Sequence, residues 1–308
     1  MAKLRLAIVG AGPAGIYAAD LMIKAEARDF DVSIDLFDLL PAPYGLVRYG
    51  VAPDHPRIKG IIRALYEVLD RGDIRFFGNV KYGVDLTLED LKRHYHAVIF
   101  ATGAIKDASL NIPGIELDGS YGAADFVNWY DAHPDFPTEW PLNAKEIAVI
   151  GNGNVALDVA RILVKHPEQL LSTDIPDHVY QGLKTSPVTD VHVFGRRGPA
   201  QVKFTPLELR EAVHIEGVDT YVYEEDFKYD EGSQRAIDSN NQTRVMVNTL
   251  EGLRNQEHSG ASRRLHLHFF SGPVEVLGEN GKVAGIKIER TEIDVNGGVI
   301  ATGEHRVY

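Results

Sequence analysis

Two glycine-rich loops, each standing between a strand-like and a helix-like segment, constrain the fold of this chain more than any other feature. The first is Gly10-Ala11-Gly12-Pro13-Ala14-Gly15 and the second is Gly151-Asn152-Gly153-Asn154-Val155-Ala156. In such a loop the first glycine makes a tight turn, the second lets the backbone approach a pyrophosphate, and the small last residue lets helix and strand pack. The free N–H groups and positive dipole end of the helix then face the phosphates. One loop is a weak signal, but two predict two dinucleotides, typically a flavin and a nicotinamide.

The strand after each loop indicates which dinucleotide it holds. Residues 32–37 are followed by Asp38, whose carboxylate can bond both ribose hydroxyls of FAD or NAD. Residues 190–195 are followed by Arg196 and Arg197, and guanidinium groups bind phosphate oxygens in a bidentate, fully charged geometry. We therefore predict FAD or NAD at the first loop and the 2′-phosphate of NADP at the second. The alternative for the two arginines is a solvated basic turn.

Composition excludes several classes of function. The chain has 308 residues, no cysteine and a net charge of −12. Without cysteine it holds no disulfide, no thiolate-bound iron–sulfur cluster and no Cys-x-x-Cys relay, so electrons have to leave through the flavin. The acidity argues against nonspecific nucleic-acid binding. No apolar run is long enough to span a membrane, and residues 1–5 lead directly into the first strand, which predicts a cytoplasmic protein.

Two smaller groups of residues have both a functional and an ordinary structural interpretation. An acidic redox partner would need a local basic face, and the candidates are Arg48, Arg57, Lys59 and Arg63, then Arg196, Arg197, Lys203 and Arg210. Each cluster is more often a solvated surface. The histidines His266, His268 and His305, like His94 and His96, have no obvious carboxylate partner in the sequence. We therefore predict ordinary structural histidines and no metal site.

The periodicity predicts an α/β fold with two Rossmann-like, dinucleotide-binding domains. We expect an FAD-binding part over residues 1–107 and an NADP-binding domain over 108–308. Helices are expected over residues 15–27, 61–69, 122–133, 155–164 and 240–254, with an ordered loop over 40–59, and Thr87 is expected to cap a further helix with Asp90 three residues on. Strand-like segments at 265–270, 274–277, 283–290 and 299–307 predict an antiparallel meander, with turns at 279–281 and 296–298.

Several longer motifs closely resemble the adrenodoxin-reductase-like ferredoxin–NADP⁺ reductases, in order and over essentially the whole chain. They are residues 40–59 (LPAPYGLVRYGVAPDHPRIK), 77–80 (FGNV), 111–114 (NIPG), 151–161 (GNGNVALDVAR), 195–199 (GRRGP) and 207–211 (LELRE). The resemblance implies two interleaved domains, the FAD domain being interrupted by the NADP domain. It also implies hydride transfer from NADPH to FAD, then single-electron transfer to a ferredoxin-type iron–sulfur protein or a flavodoxin.

The resemblance also implies site residues. FAD-contact positions are Gly10, Gly12, Pro13, Ala14, Gly15, Asp38, Gly45, Leu46, Tyr82, Thr102 and Gly103. Asn152, Gly153, Asn154 and Val155 fall on the NADP pyrophosphate, Arg196 and Arg197 on its 2′-phosphate, and Glu208 near the nicotinamide end. His55 and Glu211 stand where the family keeps polar groups close to the redox centre. Because hydride transfer needs positioning rather than a nucleophile, we expect these two to orient groups and tune potential.

Two departures from the family pattern bear on function. Ala108 stands after Asp107 where the family usually carries an NADP-binding arginine, which puts the preference for NADP over NAD in doubt. A Trp-x-Lys-Arg-Gly-Pro-like segment that returns to cover the flavin is absent, which is expected to weaken FAD binding and puts the activity of the 308-residue chain in doubt. The alternatives are a flavin-dependent monooxygenase and an NADP-binding fragment. The sequence leaves the electron acceptor open, and also the choice between monomer and dimer.

Overall fold

The structure is a computed structural model, and it describes residues 2–25, 30–104, 107–108, 110–294 and 297–308. By compactness the chain divides into two units, the first of Met1–Lys106 with Tyr130–Asp135, the second of Asp107–Trp129 with Phe136–Tyr308. The predicted boundary between residues 107 and 108 divides an FAD-binding part from an NADP-binding domain, and that division by cofactor stays a prediction. Within the described ranges no helix combines the length and apolar character needed to cross a membrane.

The first unit is built on a parallel sheet. Its elements are β1 (Ala2–Val9), α1 (Pro13–Lys24), β2 (Phe30–Phe37), α2 (Leu46–Tyr49), α3 (Pro56–Lys59), α4 (Ile61–Asp70), β3 (Ile74–Phe77), α5 (Leu88–His94) and β4 (Ala97–Phe100). The strands run in the order β3-β2-β1-β4, and every pair is parallel. Successive side chains of β1 point to opposite faces: Leu6 and Ile8 pack with Leu65 of α4, and Val9 packs with Leu91 of α5. Both faces of the sheet are therefore covered.

The expected elements of this unit are present with changed bounds. The helix predicted over residues 15–27 is α1, which ends at Lys24, and Glu26–Asp29 lie outside the described residues. The loop predicted over residues 40–59 contains two short helices, α2 and α3. Thr87 forms the expected N-cap of α5, because its hydroxyl accepts the N–H of Asp90 while the Asp90 carboxylate accepts that of Thr87.

The second unit contains two sheets. Its elements are α6 (Ala123–Tyr130, of which Tyr130 belongs to the first unit), β5 (Glu146–Ile150), α7 (Asn154–Val164), α8 (Asp177–Thr185), β6 (Asp190–Phe194), α9 (Pro206–Val213), β7 (Val218–Val222), α10 (Glu231–Ser239), α11 (Asn241–Arg254), β8 (Arg263–His268), β9 (Ser271–Glu279), β10 (Lys282–Ile293) and β11 (Val299–Val307). Three 3₁₀ turns lie at Pro167–Leu170, Pro199–Gln201 and Glu224–Phe227. The parallel sheet runs β5-β6-β8-β7, and the antiparallel sheet runs β11-β10-β9.

One strand was assigned to the wrong sheet. The segment 265–270 was expected to begin the antiparallel meander, but β8 pairs parallel with both β6 and β7. Leu265 and Leu267 are fully buried because β8 is a central strand with a neighbour on each side. β7 was missed altogether, since Asp219 and Thr220 break its apolar pattern. The Asp219 carboxylate accepts backbone N–H groups of residues 259–261, which join it to the loop before β8.

The meander is confirmed for its last three strands. Asn280 and Gly281 both have positive φ, 52° and 80°, as the central residues of a type I′ hairpin turn require. The turn predicted at residues 279–281 is therefore present between β9 and β10. In the turn predicted at residues 296–298, Asn296 lies outside the described residues, while the Gly298 N–H donates to the Asp294 carboxylate.

Candidate functional site

The first glycine loop leaves no room for side chains where the sequence predicts none. Gly10 has a φ of 109°, and a Cβ on it would lie 2.2 Å from the carbonyl oxygen of Ala101. A Cβ on Gly15 would lie 1.9 Å from the carbonyl oxygen of Gly10, so α1 packs directly on the turn after β1. Gly12 is the N-cap of α1, and Pro13 follows it at the first helical position. The loop thus opens a helix N-terminus whose first N–H groups have no partner within the helix.

Asp38 holds this loop from the end of β2. One carboxylate oxygen accepts the N–H of Ala11 at 2.6 Å, and the other accepts the N–H of Leu40 at 2.9 Å. The side chain is half-buried. Because each carboxylate oxygen has two lone pairs, Asp38 can fix the loop and still accept ribose hydroxyls. The predicted ribose ligand is therefore well placed for that role, and it has a second, structural one.

The segment after β2 packs against the same loop. The N–H of Tyr44 donates to the carbonyl of Ala11 at 2.8 Å, and Tyr44 and Gly45 both have positive φ. A Cβ on Gly45 would lie 3.1 Å from the Cα of Gly12, so glycine at position 45 lets the two chain segments approach closely, whereas a Cβ on Gly12 would make ordinary contact at 3.9 Å. Leu46, which begins α2, remains 49% exposed beside them. The resemblance-derived positions 45 and 46 therefore adjoin the first glycine loop.

Exposed apolar side chains lie near the carboxyl ends of the strands in the first unit. The Tyr82 and Phe100 rings pack edge to face at 4.9 Å, and they are 37% and 49% exposed. Thr102 and Gly103 follow β4 and are exposed as well. Large exposed apolar groups on a soluble domain usually mark a surface that a ligand or another segment covers.

The second glycine loop also turns at a glycine with positive φ and opens a helix, but the space over its middle glycine is open. Gly151 has a φ of 131°, Gly153 is the N-cap of α7, and a Cβ on Gly153 would meet nothing within 4 Å. The side-chain amide nitrogen of Asn152 is buried and has no hydrogen-bond partner among the described residues. Asn154 accepts the N–H of Thr205 through its side-chain oxygen at 3.1 Å. Val155 is 54% exposed, so the start of α7 faces open space.

Arg196 and Arg197 follow β6, in the same unit as the second glycine loop. Arg196 is exposed and Arg197 is half-buried. The Nε atom of Arg197 is buried without a hydrogen-bond partner in the described part of the chain. Neither guanidinium forms an ion pair with a carboxylate of the described residues, although this protein carries 44 acidic side chains. A buried, unpaired guanidinium donor is costly unless an acceptor arrives from outside.

A buried ion-pair group joins α7 and α9. The guanidinium of Arg161, 1% exposed, lies 2.9 Å from the Asp158 carboxylate and 3.7 Å from that of Glu208. Glu208 was predicted as a site residue, whereas Asp158 and Arg161 were not. The spacing of Asp158 and Arg161, at i and i+3 on the helix that follows the second glycine loop, was the available signal.

The polar residues expected near the redox centre fall in different units. His55, 6% exposed, belongs to the first unit and stands at the N-cap position of α3, where its carbonyl accepts two helical N–H groups. Glu211 belongs to the second unit and is exposed on α9. The structure gives each of them a local setting, and their joint role stays a prediction.

The strand histidines do have a carboxylate partner, which corrects the sequence analysis. We define the histidine cluster as His192, His266 and His268. The Nε2 atom of His266 lies 2.9 Å from Asp190, its Nδ1 atom lies 2.9 Å from the Tyr223 hydroxyl, and Nδ1 of His192 lies 3.0 Å from Nε2 of His268. The partner was hidden because it stands on a neighbouring strand, 76 residues away from His266.

Burial lowers the pKa of each imidazole in the histidine cluster. The pKa of His192 falls to about 4 and that of His268 to about 3, in each case mainly through burial and then through the neighbouring imidazoles. The Arg264 guanidinium and His266 hold the pKa of Asp190 well below its usual range despite burial. Asp190, His192 and His266 place ligand atoms within 4.8 Å of one another. However, the His192 and His266 rings stack at 4.3 Å and 7°, and the in-plane lone pairs of parallel rings cannot converge on one ion.

Comparison with known proteins gives a family model and close relatives. Residues 4–185 match the model described as pyridine nucleotide-disulphide oxidoreductase. An NADPH-ferredoxin reductase FprA of Mycobacterium leprae is 44% identical over 303 residues, which cover 96% of this chain and 66% of the relative. The mitochondrial NADPH:adrenodoxin oxidoreductase of Arabidopsis thaliana is 38% identical over 98% of this chain and 64% of its own length.

A solved structure agrees with the whole fold. FprA of Mycobacterium tuberculosis in complex with NADPH has a TM-score of 0.93 and 40% identity, covering 99% of this chain and 68% of that one. The α/β fold with parallel sheets and a C-terminal antiparallel sheet, as the described residues show it, is therefore shared with the matched part of that protein. The chain spans about two thirds of the length of the relatives it matches.

Proposed function

Since the chain belongs to the pyridine nucleotide-disulphide oxidoreductase family, and within it to the adrenodoxin-reductase-like ferredoxin–NADP⁺ reductases, we propose that it is an FAD-dependent oxidoreductase using NADPH. FAD held at the first glycine loop would supply the chemistry for accepting a hydride from NADPH and for passing single electrons to a ferredoxin-type iron–sulfur protein or a flavodoxin. The relatives are named for their action on ferredoxin and adrenodoxin, which supports that class of acceptor. Because the chain covers about two thirds of them, this activity is proposed for the protein and not taken from their names.

The observation that carries the proposal is the unsatisfied arginine pair. Arg197 keeps a buried N–H without an acceptor, and Arg196 is exposed, with no carboxylate of the described residues neutralising either. A phosphate bound by two guanidinium groups would supply both the acceptors and the charge. We propose that this phosphate is the 2′-phosphate of NADP. The amide of Asn152, also unsatisfied, is proposed to donate to the pyrophosphate at the N-terminus of α7.

The first unit fits FAD on separate grounds. Gly10 and Gly15 allow no Cβ, which brings the start of α1 against the sheet, while the space over Gly12 is bounded only by Gly45. Asp38 retains lone pairs for ribose hydroxyls, as worked out above. We propose that the isoalloxazine and adenine portions cover the exposed apolar side chains beside this loop, Leu46 and Tyr82 among them.

The chain's own residues would act by positioning. We propose that His55 and Glu211 orient groups at the redox centre and take no covalent part, because hydride transfer needs alignment and exclusion of water rather than a nucleophile. The Glu208 carboxylate lies 3.7 Å from the Arg161 guanidinium, and we propose that it faces the nicotinamide end. These assignments rest on the family resemblance together with the burial of His55 and Glu208.

The docking face for an acidic carrier is weaker than the sequence indicates. Of the first basic cluster, Lys59 lies 3.3 Å from Asp131 and Arg63 lies 3.5 Å from Glu67, so two of its four charges are neutralised. We propose that a carrier recognises more than this cluster. A cytoplasmic location is proposed with it, on a cysteine-free composition that suits a reducing compartment. Monomer and dimer both remain compatible with the proposal.

The test is the visible absorption spectrum of the purified chain before and after anaerobic NADPH, with NADH in parallel. We expect flavin bands that NADPH bleaches faster than NADH does, followed by reduction of an added ferredoxin. A protein that holds no flavin, even after incubation with excess FAD, would contradict the FAD assignment, and retained NADP affinity would then identify an NADP-binding fragment. Oxygenation of an organic substrate by the reduced protein would favour the monooxygenase instead.

A further inference from the structure

The loop that carries the two arginines is fixed by the strands that follow it much later in the chain. We define the arginine loop as residues 195–198. Its carbonyl oxygens at three consecutive positions each accept one hydrogen bond: Gly195 from the Ser271 N–H at 2.8 Å, Arg196 from the Thr291 hydroxyl at 2.9 Å, and Arg197 from the Phe270 N–H at 3.2 Å. Three successive carbonyls held in this way leave the backbone of the loop little freedom.

Thr291 differs from the other two donors, because it acts through its side chain. It is 6% exposed, and its own N–H donates to the carbonyl of Phe270 at 2.9 Å, so strand β10 is already in place without the hydroxyl. The register of β10 against β11 shifts between Glu289 and Thr291, next to this contact. The Thr291 hydroxyl thus donates to the arginine loop, while its backbone N–H holds the strand.

Glycines lie where a side chain would crowd the hydrogen bond between Thr291 and Arg196 or the Phe270 ring beside the arginine loop. A Cβ on Gly272 would lie 3.3 Å from the Thr291 methyl group and 3.8 Å from the Cβ of Arg196. The absence of a side chain at position 272 thus lets the threonine and the stem of Arg196 approach each other. The Phe270 ring fills the space over Gly198, where a Cβ would come within 2.2 Å of it.

We infer that Thr291 is a positioning residue for the 2′-phosphate site: its hydroxyl fixes the Arg196 carbonyl and so sets the directions in which Arg196 and Arg197 leave the backbone. Binding a phosphate with two long side chains costs conformational entropy, and a fixed backbone lowers the part that remains to be lost. The inference rests on the proposed function, in which the two arginines bind the 2′-phosphate. It predicts that Thr291 governs discrimination between NADP and NAD without touching either.

The experiment compares dissociation constants of NADP⁺ and NAD⁺, measured by calorimetry, for the wild type and four variants. Thr291→Val keeps the shape and removes the donor, and we expect NADP⁺ to bind about five- to tenfold more weakly, because the freed backbone at residue 196 then has to be ordered on binding, with NAD⁺ unchanged. Thr291→Ser keeps the hydroxyl and should retain the preference. The matched control is Thr302→Val, since that hydroxyl donates to the Arg290 carbonyl and not to the loop. Arg197→Met reports on the site itself.

The outcomes separate the inference from the function on which it rests. A wild type with no preference for NADP⁺, or an Arg197→Met variant that keeps it, would overturn the proposed 2′-phosphate site. If that site is supported, an unchanged NADP⁺/NAD⁺ ratio in Thr291→Val, or an equal loss for both nucleotides, would overturn the role of Thr291. Should Thr291→Val fail to fold, Gly272→Ala disturbs the same contact from β9, and an unchanged ratio there would count equally against the inference.

Discussion

Acid should destabilise the second unit through the histidine cluster. Burial holds the pKa of His192 at about 4 and that of His268 at about 3, whereas both imidazoles titrate near the ordinary histidine value of about 6.5 once the chain unfolds. Between these values the unfolded state binds protons that the folded state does not. The free energy of unfolding therefore falls as the pH drops from about 6.5 towards 4, and is fully retained above that window.

The size of the effect follows from the number of protons. Each proton bound only by the unfolded state costs about 1.4 kcal/mol of stability per pH unit. His192 is partly exposed and shares a hydrogen bond with His268, so we count the pair as one proton instead of two. Lowering the pH from about 6.5 to about 5 should then remove about 2 kcal/mol from the free energy of unfolding.

Urea unfolding followed by tryptophan fluorescence measures this directly, because both tryptophans of the chain, Trp129 and Trp140, belong to the second unit. The variant His192→Phe keeps an aromatic ring in the stack and should lose about half of the pH dependence. The control is His94→Gln, an exposed side chain on α5 of the first unit. Burial raises the carboxyl pKa of Asp226, so acid stabilises the folded state through this group and opposes the effect of the histidines. The decisive quantity is therefore the difference in pH dependence between the wild type and His192→Phe. Equal stability at pH 7 and pH 5, or an unaltered slope in His192→Phe, would refute the reasoning.

Three further changes test other parts of the structure. Arg197→Met should weaken NADPH binding by roughly 10- to 100-fold and leave NADH almost unchanged, as titration would show, whereas Arg210→Met on the exposed face of α9 should affect neither. Gly15→Ala places a Cβ 1.9 Å from a carbonyl oxygen, so it should lower the free energy of unfolding by about 3 kcal/mol, as thermal unfolding would show, and should also weaken flavin binding. Gly252→Ala, with open space around it, should not lower the free energy of unfolding. Asp35→Asn disrupts a buried carboxylate that accepts from a bidentate arginine and a tyrosine hydroxyl, and should lower stability by about 2 kcal/mol in urea unfolding; an unchanged midpoint would contradict this.

The parts of the fold that the sequence predicted are those with local causes. The glycine loops, the Thr87 cap and the turn at Asn280-Gly281 depend on residues within a few positions of one another, and all are present. Pairing of β8 depended on β6 and β7, strands tens of residues away, so an apolar run could not tell parallel from antiparallel neighbours. For the same reason the carboxylate beside His266 could not be found from spacing.

The candidate site likewise has a part that local sequence predicts and a part that depends on distant contacts. The positions of Asp38 and Arg197 at the ends of second strands were predictable, because strand, loop, helix and strand form one continuous βαβ unit. Their hydrogen-bonding states were not. Whether Arg197 would be neutralised by one of 44 acidic residues, and whether a threonine 95 positions after Arg196 would hold its carbonyl, depends on tertiary packing.

Those hydrogen-bonding states separate two loops that the glycine motif alone makes equivalent. Both loops open a helix N-terminus of the kind that binds phosphates, so a pyrophosphate alone would not distinguish the two nucleotides. At the first loop Asp38, which follows β2, has both carboxylate oxygens engaged by backbone N–H groups and keeps lone pairs that can accept ribose hydroxyls, whereas its charge would repel a phosphate. At the second loop, Arg197 offers a buried donor that no described residue satisfies, which a hydroxyl would satisfy poorly and a phosphate well. We therefore expect cofactor choice to depend on the residue that follows the second strand of each unit, an acceptor at Asp38 and, among the described residues, an unpaired donor at Arg197.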